Sequence, residues 1–275
     1  MLSFGLALGG GGVKGLAHIP LLKKLDALGA KPSCISGTSM GAIIGALYAA
    51  GLSGEEIEAR VRDHLFSRKD SIKHFYKRRK HLMRWLRVFS FEKNRGGFIN
   101  AEGLFDELFN EIVDKNFEDL SIPFTAIATN FHTGDEVALS QGPLLPAVQA
   151  SMAVPGVFAP VKIDENLLVD GGLVNNVPCN HASKNNCPVI ASDVISLMRK
   201  QTPKATEVLS GSLSIMLRRA TTSIYEKTPP AILFQPDTNK IDAFDFHKIA
   251  ETLERGEQAL VVIEQALEDF FNQTH

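Results

Sequence analysis

The chain has 275 residues, of which 44% are hydrophobic and 22% charged, so it is long enough to bury a sizeable core. α/β domains of this size commonly stand alone, and we expect one domain over residues 1–275. The formal net charge of −2 lacks the basic excess of nucleic-acid-binding proteins and argues against that class.

The N-terminal apolar run at 2–8 has no positive region before it and leads directly into glycines, unlike a signal peptide. No segment reaches the roughly 20 apolar residues that a transmembrane helix needs. The three cysteines lack framework spacing, which favours a reducing compartment over a disulfide scaffold. We therefore expect a cytoplasmic protein that can still contact a membrane peripherally.

Short apolar runs alternate with helical patterns along the chain. The runs predict strands at 2–8, 33–36, 122–130, 188–194 and 231–234, and a hairpin at 161–169. The patterns predict helices at 13–28, 40–50, 101–113, 205–224 and 246–271. Alternation of this kind predicts an α/β fold with a mostly parallel sheet covered by helices on both faces.

The segment at 68–95 differs from the rest of the chain. It holds eleven Lys or Arg and two acids, interleaved with five aromatic residues that include the only tryptophan, Trp85. One interpretation is a solvated helical face with some core aromatics. The other is a cap or lid insertion that contacts anionic lipid headgroups. The sequence leaves both open.

The strongest local motif is G-x-S-x-G, formed by Gly37, Ser39 and Gly41 between a short strand and a helix of small residues. A serine at a sharp strand-to-helix turn is held exposed, and glycine tolerates the crowding on either side. The following helix directs its N-terminus at the serine, which favours developing negative charge there. Ser39 is thus a candidate nucleophile.

A second glycine block, 9–15, follows the first strand and opens the first helix. Its backbone N–H groups can point the same way, as an oxyanion hole requires. Gly10, Gly12 and Gly15 also fit the dinucleotide fingerprint, which needs an acidic residue about 20 positions on. The second strand ends at Gly37 with no acid, and Leu16 after Lys14-Gly15 excludes a Walker A loop. Dinucleotide binding is therefore a remote alternative.

Two further blocks lie downstream, at 150–155 and at Asp170-Gly171-Gly172. With the two glycine motifs, they resemble the four sequence blocks of the patatin-like phospholipases, over about residues 3–195. The resemblance implies a three-layer α/β/α sandwich with a mostly parallel central sheet. It also implies hydrolysis of acyl esters in lipids by a Ser–Asp dyad, of the phospholipase A or lysophospholipase type.

Carried over residue by residue, the resemblance implies that Ser39 is the nucleophile and Asp170 its base. Lys14 occupies a position where the family has Lys or Arg. The oxyanion N–H groups are then those of Gly10, Gly11 and Gly12, and the supporting glycines are Gly37, Gly41, Gly171 and Gly172. No metal ligands or cofactor are expected, the partner is a phospholipid or other acyl ester, and nothing indicates an oligomeric state.

Several alternatives accompany this hypothesis. A triad of Ser39, Asp170 and His247 has the chain order of α/β-hydrolases, but in those enzymes the nucleophile follows a later strand. The same residues also suit an esterase, thioesterase or acyltransferase with shorter or non-lipid substrates. Ser151 is expected to be structural and to pack near the site, and Asn175 to orient the loop after Asp170.

Overall fold

A computed structural model of the chain describes residues 3–66, 105, 108–183, 186–197, 202 and 205–272. The basic segment at 68–95 lies outside the described residues, so both interpretations of it stay open. Of the predicted helix at 101–113, Phe105 and residues 108–110 are helical.

Eight strands within the described residues form one mixed sheet, in the order β5-β6-β3-β2-β1-β7-β8 with β4 also paired to β3. Pairing is parallel among β3, β2, β1, β7 and β8, and antiparallel among β3, β4, β5 and β6. The strands are β1 Gly5–Leu8, β2 Cys34–Thr38, β3 Phe124–Asn130, β4 Glu136–Leu139, β5 Val161–Ile163, β6 Asn166–Asp170, β7 Val189–Ser192 and β8 Ile232–Phe234.

Helices flank the sheet. They are α1 His18–Ala27, α2 Met40–Ala49, α3 Gly54–Phe66, α4 Leu144–Ser151, α5 Cys179–Ala182, α6 Ala205–Lys227 and α7 Ile249–Asn272. The predicted helix at 13–28 differs in its first turns, because the glycine-rich segment Gly12–Ala17 is a 3₁₀ helix. Sequence patterns missed α3, α4, α5 and β4. The four-residue strand β4 has only three consecutive apolar residues, too short a run to indicate a strand.

The central strand β1 shows why the sheet is covered on both faces. Leu6 and Leu8 join the main core with residues of α1 and α2. Ala7, on the opposite face, packs in a second cluster with Cys179 and Ala182 of α5. This alternation follows from the two-residue period of a strand. It confirms the predicted three-layer α/β/α arrangement.

The parallel strands bring three loops to one edge of the sheet. The glycine block follows β1, Ser39 follows β2, and the segment from Asp193 follows β7. Because the carboxyl ends of neighbouring parallel strands lie side by side, these loops meet. Across the described part of the chain, no helix is both long and apolar enough to cross a bilayer.

Candidate active site

A cavity of about 140 Å³ lies at this edge of the sheet. Its wall includes Ser39 and Asp170, which are 131 positions apart in the sequence. Of the other predicted site residues, those that line it are Gly11, Gly12, Lys14 and Gly172. Most of the remaining wall is apolar, with contributions from Ile43, Phe105, Phe158, Ile241, Phe244 and Phe246. The cavity thus brings a hydroxyl and a carboxyl together in surroundings that suit a hydrocarbon chain.

Ser39 has a backbone conformation that residues with a side chain rarely adopt. Its φ of 54° and ψ of −123° lie outside the helical and strand regions, and α2 begins at the next residue. Strain of this kind concentrates at functional sites and persists only where the surrounding structure enforces it. The sharp turn directs the Ser39 side chain towards the cavity at the N-terminus of α2, where the helix dipole favours negative charge.

Gly37 and Gly41 enforce the turn by close backbone contact. A Cβ atom on Gly37 would lie 2.4 Å from the carbonyl oxygen of Gly41, and one on Gly41 would lie 2.2 Å from that of Leu8. Strand β2, the start of α2 and the end of β1 therefore touch through main-chain atoms. Any larger residue at either position would separate them and release the conformation of Ser39.

Asp170 ends β6, and its side chain is only 7% exposed. Burial raises the pKa of Asp170 to about 6, while hydrogen bonds with the Ser39 side chain and the Gly172 N–H act against that rise. The Gly172 N–H lies 2.7 Å from Oδ1 of Asp170. Gly171 lies directly against β3, since a Cβ there would be 2.1 Å from the carbonyl oxygen of Ile127. The two glycines let the main chain pass close behind the carboxyl group.

Strand β3 sets the relative position of Ser39 and Asp170. Thr38, which precedes Ser39, is in register with Ile127, and Asp170 is in register with the next residue of β3, Ala128. The positions of Ser39 and Asp170 are therefore both set by neighbouring residues of one strand, β3. Backbone hydrogen bonds between strands fix this register, and the Ser39 side chain also hydrogen-bonds the Asp170 carboxyl group.

The block at 150–155 reinforces this register with three hydrogen bonds. The Ser39 N–H donates to Oγ of Ser151 at 2.9 Å, and that hydroxyl donates to the Ile127 carbonyl at 2.5 Å. The Asp170 N–H donates to the Ala153 carbonyl at 3.0 Å. Ser151 is fully buried and has the structural position near the site that the sequence predicted. It also bonds directly to the main chain of the candidate nucleophile.

A buried histidine, His18, hydrogen-bonds the first residue of the glycine block. Nε2 of His18 lies 2.8 Å from the Gly9 carbonyl, and Nδ1 lies 2.6 Å from Oγ of Ser192. Burial lowers the pKa of His18 to about 4, so the ring is neutral near pH 7. A carbonyl only accepts, so Nε2 carries the proton and Nδ1 accepts from Ser192. His18 was not singled out from the sequence, because one histidine in an apolar helix carries no motif.

The three candidate oxyanion glycines differ in their partners. The Gly10 N–H donates to the Asn176 carbonyl at 3.2 Å, so it is engaged within the protein. Gly11 and Gly12 line the cavity, and no backbone acceptor for their N–H groups appears among the described residues. The next amide, Val13 N–H, donates to the Ala243 carbonyl at 2.8 Å. Of the three candidates, Gly11 and Gly12 are thus the two that line the cavity and whose N–H groups no described backbone carbonyl engages.

Lys14 is 6% exposed and contributes to the cavity wall. Burial lowers the pKa of Lys14, and the negative charges of Asp242 and Asp245 oppose that change. Both acids lie near Ala243, whose carbonyl accepts the hydrogen bond from the Val13 N–H. A basic side chain therefore lies between the glycine block and the C-terminal part of the chain.

The family model for patatin-like phospholipases matches residues 6–183, about two thirds of the chain. The chain belongs to this family. Both the glycine block and the G-x-S-x-G turn lie within the match, as does Asp170. The resemblance stated from the sequence is therefore confirmed.

Relatives of this patatin-like family member come from several organisms. An uncharacterized NTE family protein of Mycobacterium tuberculosis is 35% identical over 173 residues, which are 63% of this chain and 43% of that protein. A patatin-like phospholipase domain-containing protein of Caenorhabditis elegans is 32% identical over 239 residues, covering 84% of this chain and 16% of that protein. The chain thus spans less than half the length of these relatives. The crystal structure of VipD from Legionella pneumophila shares the fold, with a TM-score of 0.54 at 12% identity over 97% of this chain and 67% of VipD.

His247, the third member of the alternative triad, does not line the cavity. It is exposed in the 3₁₀ turn Phe246–Lys248 that precedes α7. None of the described residues that line the cavity is a histidine. Asn175 lies in the loop after Asp170, and its main chain joins that loop to Gly171 and Thr38. Its N–H donates to the Gly171 carbonyl at 2.9 Å, and its own carbonyl accepts from the Thr38 hydroxyl at 2.8 Å.

We expect Gly41→Ala to abolish activity on a soluble ester and to lower the free energy of unfolding by about 1–3 kcal/mol, because the new methyl group overlaps Leu8. Gly211→Ala in α6 is the matched control, since a Cβ there meets no atom within 4 Å. It should retain activity, and its free energy of unfolding should rise by up to about 1 kcal/mol because alanine has a higher helix propensity than glycine. Thermal unfolding and ester turnover measure both effects. Wild-type behaviour of Gly41→Ala would contradict the close contact.

We expect Ser151→Ala to slow turnover roughly tenfold, because the buried Ser39 N–H loses its acceptor at a cost of about 1–3 kcal/mol. Ser33→Ala is the matched control. Its hydroxyl also donates to a carbonyl, that of Phe4 at 2.9 Å, but it precedes β2 at the opposite end of the strand. Steady-state kinetics on a soluble ester should separate the two variants. Equal rates would show that Ser151 does not position the nucleophile.

Proposed function

We propose that this protein is a lipid acyl hydrolase of the phospholipase A or lysophospholipase type, with Ser39 as nucleophile and Asp170 as general base. The observation that carries the proposal is the shared cavity. It joins a serine in a strained strand-to-helix turn, a buried carboxyl group and free glycine N–H groups, within an otherwise apolar wall. Membership of the patatin-like phospholipase family supports the same class of reaction.

Asp170 has the properties that a base without a histidine needs. A carboxylate with its ordinary pKa near 3.9 is a weak base towards a serine hydroxyl. Burial brings the pKa of Asp170 to about 6, closer to the range useful for general-base catalysis. The carboxylate accepts the Ser39 proton as Oγ forms a bond to the ester carbonyl carbon, and the carbonyl electrons move to oxygen.

The oxyanion formed in this step lies against the glycine block. Gly11 and Gly12 supply the N–H donors, with a loss of about 10²- to 10³-fold in rate expected for each donor removed. Collapse of the intermediate breaks the bond to the alcohol, which leaves with the proton held by Asp170. Water then attacks the acyl-enzyme, giving its proton to Asp170, and the released Ser39 recovers a proton by the same route.

The apolar wall indicates the acyl side of the substrate. Aromatic and branched side chains make up most of the wall beside Ser39 and Asp170, as a hydrocarbon chain requires. A phospholipid satisfies this requirement, and peripheral contact with an anionic membrane would supply it. Shorter esters, thioesters and acyl transfer use the same residues and are the second candidate. Dinucleotide binding lacks the acidic residue it needs, because β2 ends at Thr38 and Ser39 follows it.

The labelling and activity of three variants test this function. Ser39→Ala should lose both fluorophosphonate labelling and hydrolysis of a p-nitrophenyl ester. Asp170→Asn should lose hydrolysis by several orders of magnitude, because the amide cannot take the proton. His247→Ala should remain near wild type, since His247 is exposed and outside the cavity wall. A His247→Ala variant as inactive as Ser39→Ala would replace the dyad with a triad.

The pH dependence gives a second test. Only ionised Asp170 accepts a proton, so kcat/KM should rise with pH through a midpoint near the pKa of about 6 and then level. The folded-state pKa lies above the value of 3.8 for an exposed aspartate, so the stability contribution of neutral Asp170 is lost as pH rises through this interval. Asp170→Asn should show neither the activity rise nor this loss in thermal unfolding. A wild-type profile flat from pH 4 to 8 would exclude Asp170 as the base.

A further inference from the structure

Helix α6 lies beyond the residues that the family model matches, yet it forms part of the cavity wall. The side chains of Leu213, Ser214 and Leu217 line the cavity. The helix also contains an uncharged run of ten residues, 208–217, between Glu207 and Arg218. A helix that faces water on one side normally carries charged residues there. This part of α6 does not.

The side of α6 that faces away from the cavity exposes large apolar side chains. Val208 is 51% exposed, Ile215 is 60% exposed and Met216 is 68% exposed. Contiguous apolar exposure of this kind marks a site of contact with a protein or a membrane. Helix α6 is therefore apolar both on the side that lines the cavity and on the side exposed to solvent.

The exposed side chains are continuous with the cavity. Leu173 and Leu213 line it and are also 43% and 39% exposed, so its wall reaches the protein surface at these two residues. Leu197, 40% exposed, directly follows the lining residues Ile195 and Ser196. We name these side chains the apolar rim: Leu173, Leu197, Val208, Leu213, Ile215 and Met216.

We infer that the apolar rim docks on the surface of a phospholipid bilayer, so that an acyl chain passes from the bilayer to Ser39 without crossing water. The inference rests on the proposed function. Arg219 is exposed just after the uncharged run, where it can meet headgroup phosphates. A second copy or a protein partner seated on the rim would instead cover the place where the cavity reaches the surface, and so block entry of the substrate.

The test compares two double variants of the full chain. Ile215→Gln with Met216→Gln removes apolar surface from the rim without touching the cavity wall, and glutamine keeps helix propensity high. Val261→Gln with Val262→Gln is the matched control. These valines are 73% and 82% exposed on α7 and do not line the cavity. Both variants should unfold at temperatures close to the wild type, because all four side chains are exposed.

Vesicles of phosphatidylcholine and phosphatidylglycerol are the probe. The rim variant should lose on the order of tenfold in vesicle partitioning and in hydrolysis of vesicle phospholipid, while its rate on a soluble p-nitrophenyl ester stays unchanged. The control variant should match the wild type in all three assays. Equal partitioning of the two variants would overturn the inference. So would a rim variant that loses the soluble ester activity to the same extent.

Two further measurements separate the remaining outcomes. Ser39→Ala should still bind vesicles. If the proposed function is wrong, the wild type will bind vesicles without hydrolysing their phospholipid. If the docking inference is wrong, the wild type will hydrolyse phospholipid, but binding will not depend on the rim. Light scattering after size-exclusion chromatography tests for a second copy on the rim. A dimer that dissociates in the rim variant, together with no vesicle binding by the wild type, would replace the bilayer with a protein interface.

Discussion

The register of β3 is the constraint on which the candidate site depends. One strand pairs with β2 on a parallel ladder and with β6 on an antiparallel ladder, and these ladders place Thr38 and Asp170 opposite successive residues. A shift of either ladder by one residue would turn the paired side chains to the other face of the sheet. The hydroxyl and the carboxyl would then no longer share a cavity. Ser151 secures the alignment by joining the main chains of Ser39 and Ile127.

Both candidate residues are held in states that cost free energy. Ser39 keeps a positive φ, and Asp170 keeps a carboxyl group away from water. The surrounding structure offsets these costs through main-chain contacts at Gly37 and Gly41 and through the Gly172 N–H. The sharp turn gives the serine its orientation, and burial gives the carboxyl its raised pKa, which the Gly172 N–H opposes. Stability and reactivity are thus coupled in the residues around the cavity.

The sequence allowed the parallel strands, the long helices and the two glycine motifs to be predicted, because each has a local pattern. Ser39 and Asp170 could be paired only through the family resemblance, since no periodicity relates positions 131 residues apart. The brace formed by His18 and Ser192 could not be predicted, because it joins single residues on β7 and α1. Likewise, the engagement of the Gly10 N–H by Asn176 depends on the fold of a distant loop. Tertiary contacts of this kind leave no signature within a short window.

The cavity wall contains residues from two parts of the chain, one that the family model matches and one that lies after it. The groups expected to do chemistry lie within residues 6–183, whereas Ile195, Leu217 and Phe244 lie beyond them. The apolar wall is therefore shared between the family-matched part of the chain and the part after it, whereas the candidate reacting groups lie in the matched part alone. Under the proposed function, substitutions in the last third would alter the apolar wall while the candidate reacting groups keep their arrangement. Divergence of substrate range among relatives would then require no change in the catalytic residues themselves.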